Sequence, residues 1–285
     1  MNTTPPPAPG QSALWNGPGG HAWVDAQPLL DQVLQPFEDL LVEGVRSASP
    51  SRVLDVGCGT GSTTVAIARL LGNGGQCTGV DISQPMIDAA RARAAREGVA
   101  ASFVIADAQT HPFEPGGFDM IVSRFGVMFF QDPVAAFANL RRAASANASM
   151  RLIVFRGGDE NPFMTAAERA ARPLMSNLPP RKPDGPGQFA FADRQRVAGI
   201  LQQSGWTGID IQPVDVECVL PEKDLVGYFT RLGPVGTALR DADEATRSRV
   251  IDTVRPAFDP FVRGAEVRFT SACWMIVDSR RPRSS

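Results

Sequence analysis

A glycine-rich turn is the clearest chemical feature of the sequence. Residues 53–61 read VLDVGCGTG, a short apolar strand pattern that runs into three glycines spaced by single residues. Glycine adopts backbone angles closed to other residues, and it leaves room for a ligand against the main chain. In open parallel sheets, ligands bind at the carboxyl ends of the strands. The run therefore predicts a ligand-binding turn after the first strand.

Three aspartates accompany the ends of successive strand patterns. Asp55 lies two residues before the first glycine of the turn, where a carboxylate can order the turn and reach a cationic amino group. Asp81 ends the second strand pattern and can accept two ribose hydroxyls, a feature that nucleotide-binding dehydrogenases share. Asp107 follows the third strand pattern, where it can accept from an adenine amine while the Ala108 amide faces a ring nitrogen. We expect the three carboxylates to surround one cavity.

Strand and helix patterns alternate between residues 51 and 156, which predicts parallel pairing with right-handed crossovers. Ser83, Asp132 and Asp193 stand where they can cap following helices. Upstream, apolar residues at helical spacing between positions 30 and 45 predict a helix that Pro36 kinks or splits.

The chain divides into segments of different composition. Residues 157–192 are rich in proline and glycine and predict an irregular excursion. The predicted organisation is a disordered N-terminus at 1–12, an N-terminal lid and helix at 13–50, a ligand-binding core at 51–156, substrate cap insertions at 157–192 and 221–265, the remainder of the core sheet at 193–220 and 266–279, and a tail at 280–285.

Residues 53–155 resemble the core of class I methyltransferases that use S-adenosylmethionine (SAM). They are similar to the branch that includes ubiquinone and menaquinone biosynthesis enzymes and many small-molecule methyltransferases. The matching motifs are VLDVGCGTG at 53–61, GVDIS at 79–83 with Met86, ADAQ at 106–109 and FDMIVS at 118–123. The resemblance implies an α/β Rossmann-like fold: a mostly parallel seven-stranded sheet with an antiparallel last strand, helices on both faces and a helical cap.

The resemblance also implies SAM as the cofactor, S-adenosylhomocysteine as the product and a role for each matching residue. The glycine turn would pass under the methionine part, Asp81 would hold the ribose, and Ile82 and Met86 would flank the adenine. Asp107 and Ala108 would read the adenine edge, and the Ser123 backbone would face the methionine amine. The predicted cofactor set is Asp55, Gly57, Cys58, Gly59, Asp81, Ile82, Met86, Asp107, Ala108 and Ser123.

Candidates for the acceptor pocket and for acid–base chemistry lie outside these motifs. Methyltransferases of this kind often carry histidines where Met128 and Phe129 stand, so one common candidate base is missing. His21, in a Trp- and Gly-rich segment that can fold over the cofactor, is the candidate acid or base. Arg124 and Arg231 can meet an acidic substrate or serve as salt-bridge partners. The apolar pocket candidates are Phe125, Phe163, Met164, Met175, Phe189, Phe191, Tyr228 and Phe229.

We therefore expect in-line methyl transfer to an O, N or C atom of a small molecule, driven by proximity and orientation, without a metal. An NAD(P)-linked oxidoreductase shares the turn and Asp81, but its G-x-G-x-x-G spacing differs from the G-x-G-x-G found here. A non-catalytic SAM-binding protein is the second alternative.

Composition argues against several other classes. The net charge is −2 with no basic stripe, which disfavours nucleic-acid binding. No stretch approaches the ~20 apolar residues of a membrane span. The four cysteines form no C-x-x-C pair, which disfavours a zinc site or disulfide framework and suits a cytoplasmic protein. The sequence identifies neither the methyl acceptor nor the oligomeric state.

Overall fold

A computed structural model of the chain describes residues 10–176, 178 and 185–278. Its centre is one mixed sheet in which β7 pairs with β8 beside a main path of order β3-β2-β1-β4-β5-β8-β6. The strands are β1 (Arg52–Val56), β2 (Gln76–Asp81), β3 (Ser102–Ile105), β4 (Phe118–Arg124), β5 (Ala144–Phe155), β6 (Ile209–Pro221), β7 (Val262–Arg263) and β8 (Glu266–Asp278).

Strands β1 to β5 pair in parallel, and β8 runs antiparallel to both β5 and β6. This confirms the predicted mostly parallel sheet with an antiparallel last strand, and β7 adds a two-residue eighth strand. The chain leaves β3 at one edge and re-enters the sheet beside β1 as β4, so the strand order reverses between β1 and β4. Such a switch point opens a crevice at the strand ends, where α/β proteins bind ligands.

Eleven α-helices connect or flank these strands in the described part of the chain. They are α1 (Gln11–Asn16), α2 (Pro18–Asp25), α3 (Gln27–Ala48), α4 (Ser62–Leu71), α5 (Gln84–Glu97), α6 (Pro133–Ala143), α7 (Pro162–Ala171), α8 (Arg194–Gln203), α9 (Leu225–Arg231), α10 (Gly233–Leu239) and α11 (Glu244–Val254). No helix among them is long and apolar enough to cross a membrane.

The predicted helix caps are confirmed. Ser83 accepts a hydrogen bond from the Met86 amide at the start of α5, and Asp132 accepts from the Ala135 amide at 3.0 Å at the start of α6. Asp193 accepts from the amides of Gln195 and Arg196 in the first turn of α8. Each side chain satisfies a backbone N–H that has no partner inside its own helix, which fixes where the helix begins.

Two predicted features differ from the structure. Helix α3 runs from Gln27 to Ala48 with Pro36 inside it, so the predicted split does not occur. Its apolar face, including the fully buried Phe37 and Leu41, packs on the core, and this burial outweighs the missing N–H of the proline. Residues 157–192, predicted to be irregular, contain helix α7. Pro162 stands at the first helical position, where its missing N–H needs no partner, so this proline is compatible with the helix.

The chain ends are partly outside the described residues. The predicted disordered segment 1–12 and the predicted tail 280–285 fall mostly or wholly there, although helix α1 already begins at Gln11.

Helices α7 and α11 and the turn at Arg255–Phe261 pack together around Phe163 and Phe258, which are both buried. This group of elements sits beside the long β6–β8 ladder.

Candidate active site

Two adjoining cavities open at the carboxyl ends of β1, β2 and β4. The large cavity is lined by Gln11, Trp15, Trp23, Val56, Gly57, Gly59, Val80, Asp81, Ile82, Met86, Ala106, Asp107, Ala108, Gln109, Arg124, Phe125, Gly126, Phe129, Phe130 and Gln131. The small cavity is lined by Trp23, Leu30, Asp31, Leu34, Asp55, Gly57, Cys58, Gly59, Thr60, Thr63, Arg124 and Phe125. They share Gly57 and Gly59 of the glycine turn. Asp81 and Asp107 line the large cavity and Asp55 lines the small one, so the structure has two adjoining cavities where the sequence predicted one.

The glycine turn is held against the ends of two strands. The amides of Gly57 and Cys58 both donate to the Val80 carbonyl, at 2.8 and 3.1 Å. Gly57 has a φ of +67°, and a Cβ added to it would lie 2.5 Å from the Gly126 Cα. Only glycine fits this contact without strain, because the left-handed conformation and the close backbone both exclude a side chain. The turn therefore presents bare main chain to both cavities.

Asp81 connects the turn to the start of α5. One carboxylate oxygen accepts from the Gly59 amide at 2.9 Å, and the other accepts from the Ser83 amide at 2.9 Å. Burial raises the pKa of Asp81, while the hydrogen bonds from Ser83, Gly59 and Ile82 oppose the rise. The backbone thus fixes the orientation of a carboxylate that faces the large cavity.

Asp55 is 1% exposed and lines the small cavity. Its carboxylate accepts from the Thr64 hydroxyl at 2.6 Å. Burial raises the pKa of Asp55 to about 6, with the Thr64 hydrogen bond and the positive charge of Arg124 acting in the opposite direction. Because ionising this buried carboxylate is costly, a cationic ligand group beside it would stabilise the ionised form.

Asp107 and Ala108 form a turn at the other end of the large cavity. The Asp107 carboxylate accepts from the Gln109 amide at 2.9 Å. Asn139 on α6 donates to the carbonyls of Ala108 and His111, at 2.9 and 2.8 Å. The buried Asn139 side chain thus holds the loop at Ala108 in place, although the two residues are 31 positions apart in the sequence.

The N-terminal helices cover the large cavity. Trp15 packs edge-on against Trp23 and Phe129, with ring centroids 6.1 and 5.1 Å apart. Asn16 donates to the Ile82 carbonyl at 2.9 Å and accepts from the Gln84 amide at 2.8 Å. The helices are thus attached to the segment that follows Asp81.

Most of the predicted cofactor residues reach the two cavities. Seven line the large cavity, Asp55 and Cys58 line only the small one, and Ser123 lines neither. The Ser123 side chain is fully buried and donates to the Val56 carbonyl at 2.7 Å. Cys58 is buried, and burial raises the pKa of its thiol well above the usual range, so the thiol stays neutral.

His21 is not brought to either cavity. It is exposed on α2, where its ring Nδ1 lies 2.9 Å from the Gly17 carbonyl. Within α2 the helical phase turns Gly20 and Trp23 inward and leaves His21 outside. No histidine lines the cavities in the described residues, and these residues contain no cluster of His, Cys, Asp and Glu suited to a metal.

Of the eight predicted pocket residues, Phe125 alone lines the cavities of the described structure. Its ring stacks on Phe155 at 4.2 Å, and its φ is +68°, unusual for a residue with a bulky side chain. The others pack elsewhere: Phe163 stacks on Phe269 at 3.7 Å, and the Tyr228 hydroxyl contacts the Met164 sulfur at 3.6 Å. Phe229 stacks on Phe258, Phe189 packs on Phe155, and Met175 and Phe191 are buried.

Several lining residues were not singled out from the sequence. Trp15 and Trp23 were recognised only as part of a lid segment, and Gln11, Asp31 and Thr63 not at all. The sequence offers one indication for Asn139, since it is a polar residue next to Leu140 on the buried side of α6. The remaining positions depend on packing between distant segments.

Comparisons with known proteins agree with this geometry. Residues 53–147 match the sequence profile of a methyltransferase domain. An uncharacterized protein of Mycobacterium tuberculosis is 30% identical over 169 residues, 59% of this chain and 58% of the relative, so the match spans less than two thirds of that protein. Aklanonic acid methyltransferase of Streptomyces sp. (strain C5) is 35% identical over 104 residues, 36% of this chain and 47% of the relative.

Among solved structures, the cyclase SpnF superposes with a TM-score of 0.56 at 17% identity, over 95% of this chain and 97% of that chain. A likeness at this identity describes the fold alone. The sheet order, the glycine turn and the matched profile together define a Rossmann-like methyltransferase fold. The match to the methyltransferase-domain profile covers residues 53–147, the part of the chain that carries β1 to β4 and the glycine turn.

Proposed function

We propose that this chain transfers the methyl group of SAM to an O, N or C atom of a small-molecule acceptor. The proposal rests above all on one observation: Asp55, Asp81 and Asp107 line two adjoining cavities that share the Gly57–Gly59 turn. A nucleoside joined to an amino acid has a ribose diol, an adenine edge and an ammonium group to match them.

The large cavity fits the adenosine part of SAM. Each Asp81 oxygen already accepts one backbone N–H, and a carboxylate oxygen has room for a second donor, so both oxygens can accept a ribose hydroxyl. Ile82 and Met86 supply apolar surface beside Asp81, and Asp107 and Ala108 lie where an adenine edge would end.

The acceptor would meet the cofactor where the two cavities join. SAM supplies a methyl group on a sulfonium, and its leaving group is a neutral thioether that needs no acid. The shared lining carries Trp23, Arg124 and Phe125. An apolar, aromatic wall excludes water and holds the acceptor in line, and such positioning supplies up to ~7–11 kcal/mol in favourable cases.

The lining also limits the acceptor chemistry. The described lining offers no histidine or tyrosine, so a general base would have to be one of its aspartates, and we favour a nucleophile that is reactive without a base. A carboxylate, an ionised acidic phenol or a free amine meets this condition at neutral pH. Arg124 can face an anionic acceptor at the junction, whereas Arg231 lines neither cavity.

The test uses the whole chain with methyl-labelled SAM and a small-molecule extract of its host, followed by mass spectrometry of the labelled products. Label in a small molecule, absent with Asp81→Asn, is the expected result. Binding of SAM without transfer to any fraction would favour the non-catalytic alternative. Binding of NADH in place of SAM would favour the oxidoreductase.

A further inference from the structure

The insertion at 221–265 carries a tyrosine hydroxyl that has no role in cofactor binding. Tyr228, the single tyrosine of the sequence, lies on α9 and lines neither cavity. Its hydroxyl donates to the Met164 sulfur of α7 at 3.6 Å, and no oxygen or nitrogen atom in the described part of the chain bonds it. A thioether sulfur is a weak acceptor, whereas a buried tyrosine hydroxyl usually has a strong partner. The hydroxyl therefore keeps a strong hydrogen bond for another group.

Tyr228 borders accessible space between the helices of the insertions. Tyr228 and Met164 are both partly accessible, whereas their sequence neighbours Phe229 and Phe163 are buried. Helices α9 and α7 thus turn the two phenylalanines into the core and the tyrosine and methionine towards that space. Burial raises the pKa of the Tyr228 hydroxyl, with a contribution in the same direction from Cys218. The hydroxyl is therefore protonated at neutral pH and acts as a hydrogen-bond donor.

A line of side-chain contacts joins this space to the junction of the two cavities. Phe125, which lines both cavities, stacks on Phe155, and Phe155 packs on Phe189 at 6.2 Å. Gly158 lies between Phe189 and Thr165, since a Cβ added to it would be 3.3 and 3.1 Å from their side chains. Thr165 directly follows the methionine that accepts from the tyrosine. The aromatic wall of the junction therefore continues towards α7.

The N-terminal helices meet the insertions on the opposite side of the junction. Helix α10 packs on both α9 and α7. Arg240, directly after α10, donates to the Pro18 carbonyl at the start of α2 at 3.2 Å. Helix α2 also carries Trp23, which lines both cavities. Helices α2, α7, α9 and α10 are thus neighbours around the junction where the acceptor would meet the cofactor.

We infer that the Tyr228 hydroxyl donates a hydrogen bond to the methyl acceptor and selects acceptors with an oxygen at the end remote from the methylated atom. This inference rests on the proposed function and names a substrate class for it. The partly accessible ring of Phe189 offers apolar surface to the body of such an acceptor, and the Met164 thioether adapts to its shape. The class is an apolar molecule that carries a carbonyl, hydroxyl or ether oxygen.

The single tyrosine allows a direct test by fluorine NMR. Protein labelled with 3-fluorotyrosine should give one resonance, that of Tyr228. Acetophenone and ethylbenzene are probes of nearly the same shape, with and without a carbonyl oxygen. With S-adenosylhomocysteine saturating its site, acetophenone should shift the resonance further than ethylbenzene does at equal occupancy, because its oxygen accepts from the hydroxyl. No shift with acetophenone, or equal shifts with both probes, would overturn the inference.

Tyr228→Phe removes the hydroxyl and keeps the ring. Methyl transfer from labelled SAM is measured over a dilution series of the host's small-molecule extract. In dilute extract the rate should fall by about tenfold, since one hydrogen bond to the acceptor is lost, and in concentrated extract it should approach the wild-type rate. Calorimetric affinity for S-adenosylhomocysteine should stay within about twofold, because Tyr228 lies outside both cavities.

Thr230→Val is the matched control on the same helix. Its hydroxyl donates to the Val226 carbonyl within α9, so its loss should change neither the dependence on extract nor the affinity for S-adenosylhomocysteine by more than about twofold.

The contrary outcomes differ from one another. Wild-type dependence on extract concentration in Tyr228→Phe contradicts the assignment, and so does a loss of rate that is equal at every dilution. A parallel loss of affinity for S-adenosylhomocysteine also overturns it, since that result indicates a structural defect. The fluorine measurement uses the unsubstituted chain, so it decides the question even where the variant does not fold. A wild type that binds S-adenosylhomocysteine but labels no small molecule refutes the proposed function instead.

Discussion

Replacing Asp81 by asparagine should weaken cofactor binding by at least about 100-fold. In the unliganded chain the two carboxylate oxygens accept one N–H each, from Gly59 and from Ser83. An asparagine side chain has one oxygen and one NH₂ group. Whichever way it turns, its NH₂ faces one of these N–H groups, so no rotamer keeps both contacts.

The magnitude follows from the hydrogen bonds lost with the ligand. In the proposed complex each Asp81 oxygen accepts one ribose hydroxyl, and a hydrogen bond to a charged group contributes about 1.5–3 kcal/mol. Asparagine turns one acceptor into a donor and leaves the other acceptor uncharged, which loses one bond of about 1.5–3 kcal/mol and about 1 kcal/mol of the other, or roughly 10²–10³-fold in Kd. The clash with an N–H also destabilises the unliganded protein by about 1–3 kcal/mol.

The assay is calorimetric titration with S-adenosylhomocysteine, paired with a thermal unfolding curve of each protein. Asp88→Asn provides the matched control, because Asp88 is exposed on α5, pairs with Gln84 and Arg91, and lies outside both cavities. Its affinity should stay within about twofold of the wild type. An Asp81→Asn protein that is folded and binds within about threefold of the wild type would refute the ribose contact.

Three further predictions address stability and catalysis. Burial raises the pKa of Asp55 from 3.8 to about 6, so the folded chain binds the Asp55 proton more tightly than the unfolded chain does. The protonated side chain therefore contributes its full stability below about pH 4, and this contribution is lost as the pH rises through 6. Asp55→Asn should therefore gain Tm relative to the wild type between pH 4 and about 6.5, and a constant difference across that range in melting curves would contradict the shift. Gly61→Ala should destabilise by about 2 kcal/mol or more in urea unfolding, because φ is +81° and the new Cβ would lie 2.7 Å from the Ala90 Cβ. Gly98→Ala, also in the left-handed region but with open space around it, should cost only about 1 kcal/mol, and equal costs would show that the contact is relieved. His21→Ala should leave methyl transfer within about twofold in a labelled-methyl assay, since His21 is exposed outside both cavities, and a loss of about 100-fold would restore its acid–base role.

The positions of the glycine turn and of the aspartates at the strand ends were predictable because they depend on local order. Asp55 and Asp81 stand on strands that pair residue by residue, with Asp55 opposite Gly79, so reading the strand ends locates their side chains. Gly57 was identifiable because a close backbone contact and a positive φ leave few alternatives to glycine. The capping side chains followed for the same reason, since each bonds amides within three residues.

Residues that reach the cavities through distant packing were not predictable in this way. Asn16 bonds the Ile82 carbonyl across 66 residues, and Asn139 bonds the Ala108 carbonyl across 31. Nothing near these asparagines in the sequence indicates those partners. Thr63 lies beside a recognised motif, yet its neighbours in the sequence do not indicate that it lines the small cavity.

The aromatic residues of the two insertions show why composition misleads about pockets. A phenylalanine beside an active site and one in a hydrophobic core satisfy the same sequence pattern. Phe163 stacks on Phe269 of β8, more than 100 residues away in the sequence, and therefore lies outside the cavities. Phe125 differs because it directly follows β4, whose end forms part of the cavity wall.

Equilibrium dialysis of the purified chain against labelled SAM and, in parallel, against NADH tests which cofactor the two cavities bind. We predict that SAM is retained at about one molecule per chain, that S-adenosylhomocysteine displaces it and that NADH is not retained. Retention of NADH, or no retention of SAM at concentrations up to about 1 mM, would contradict it.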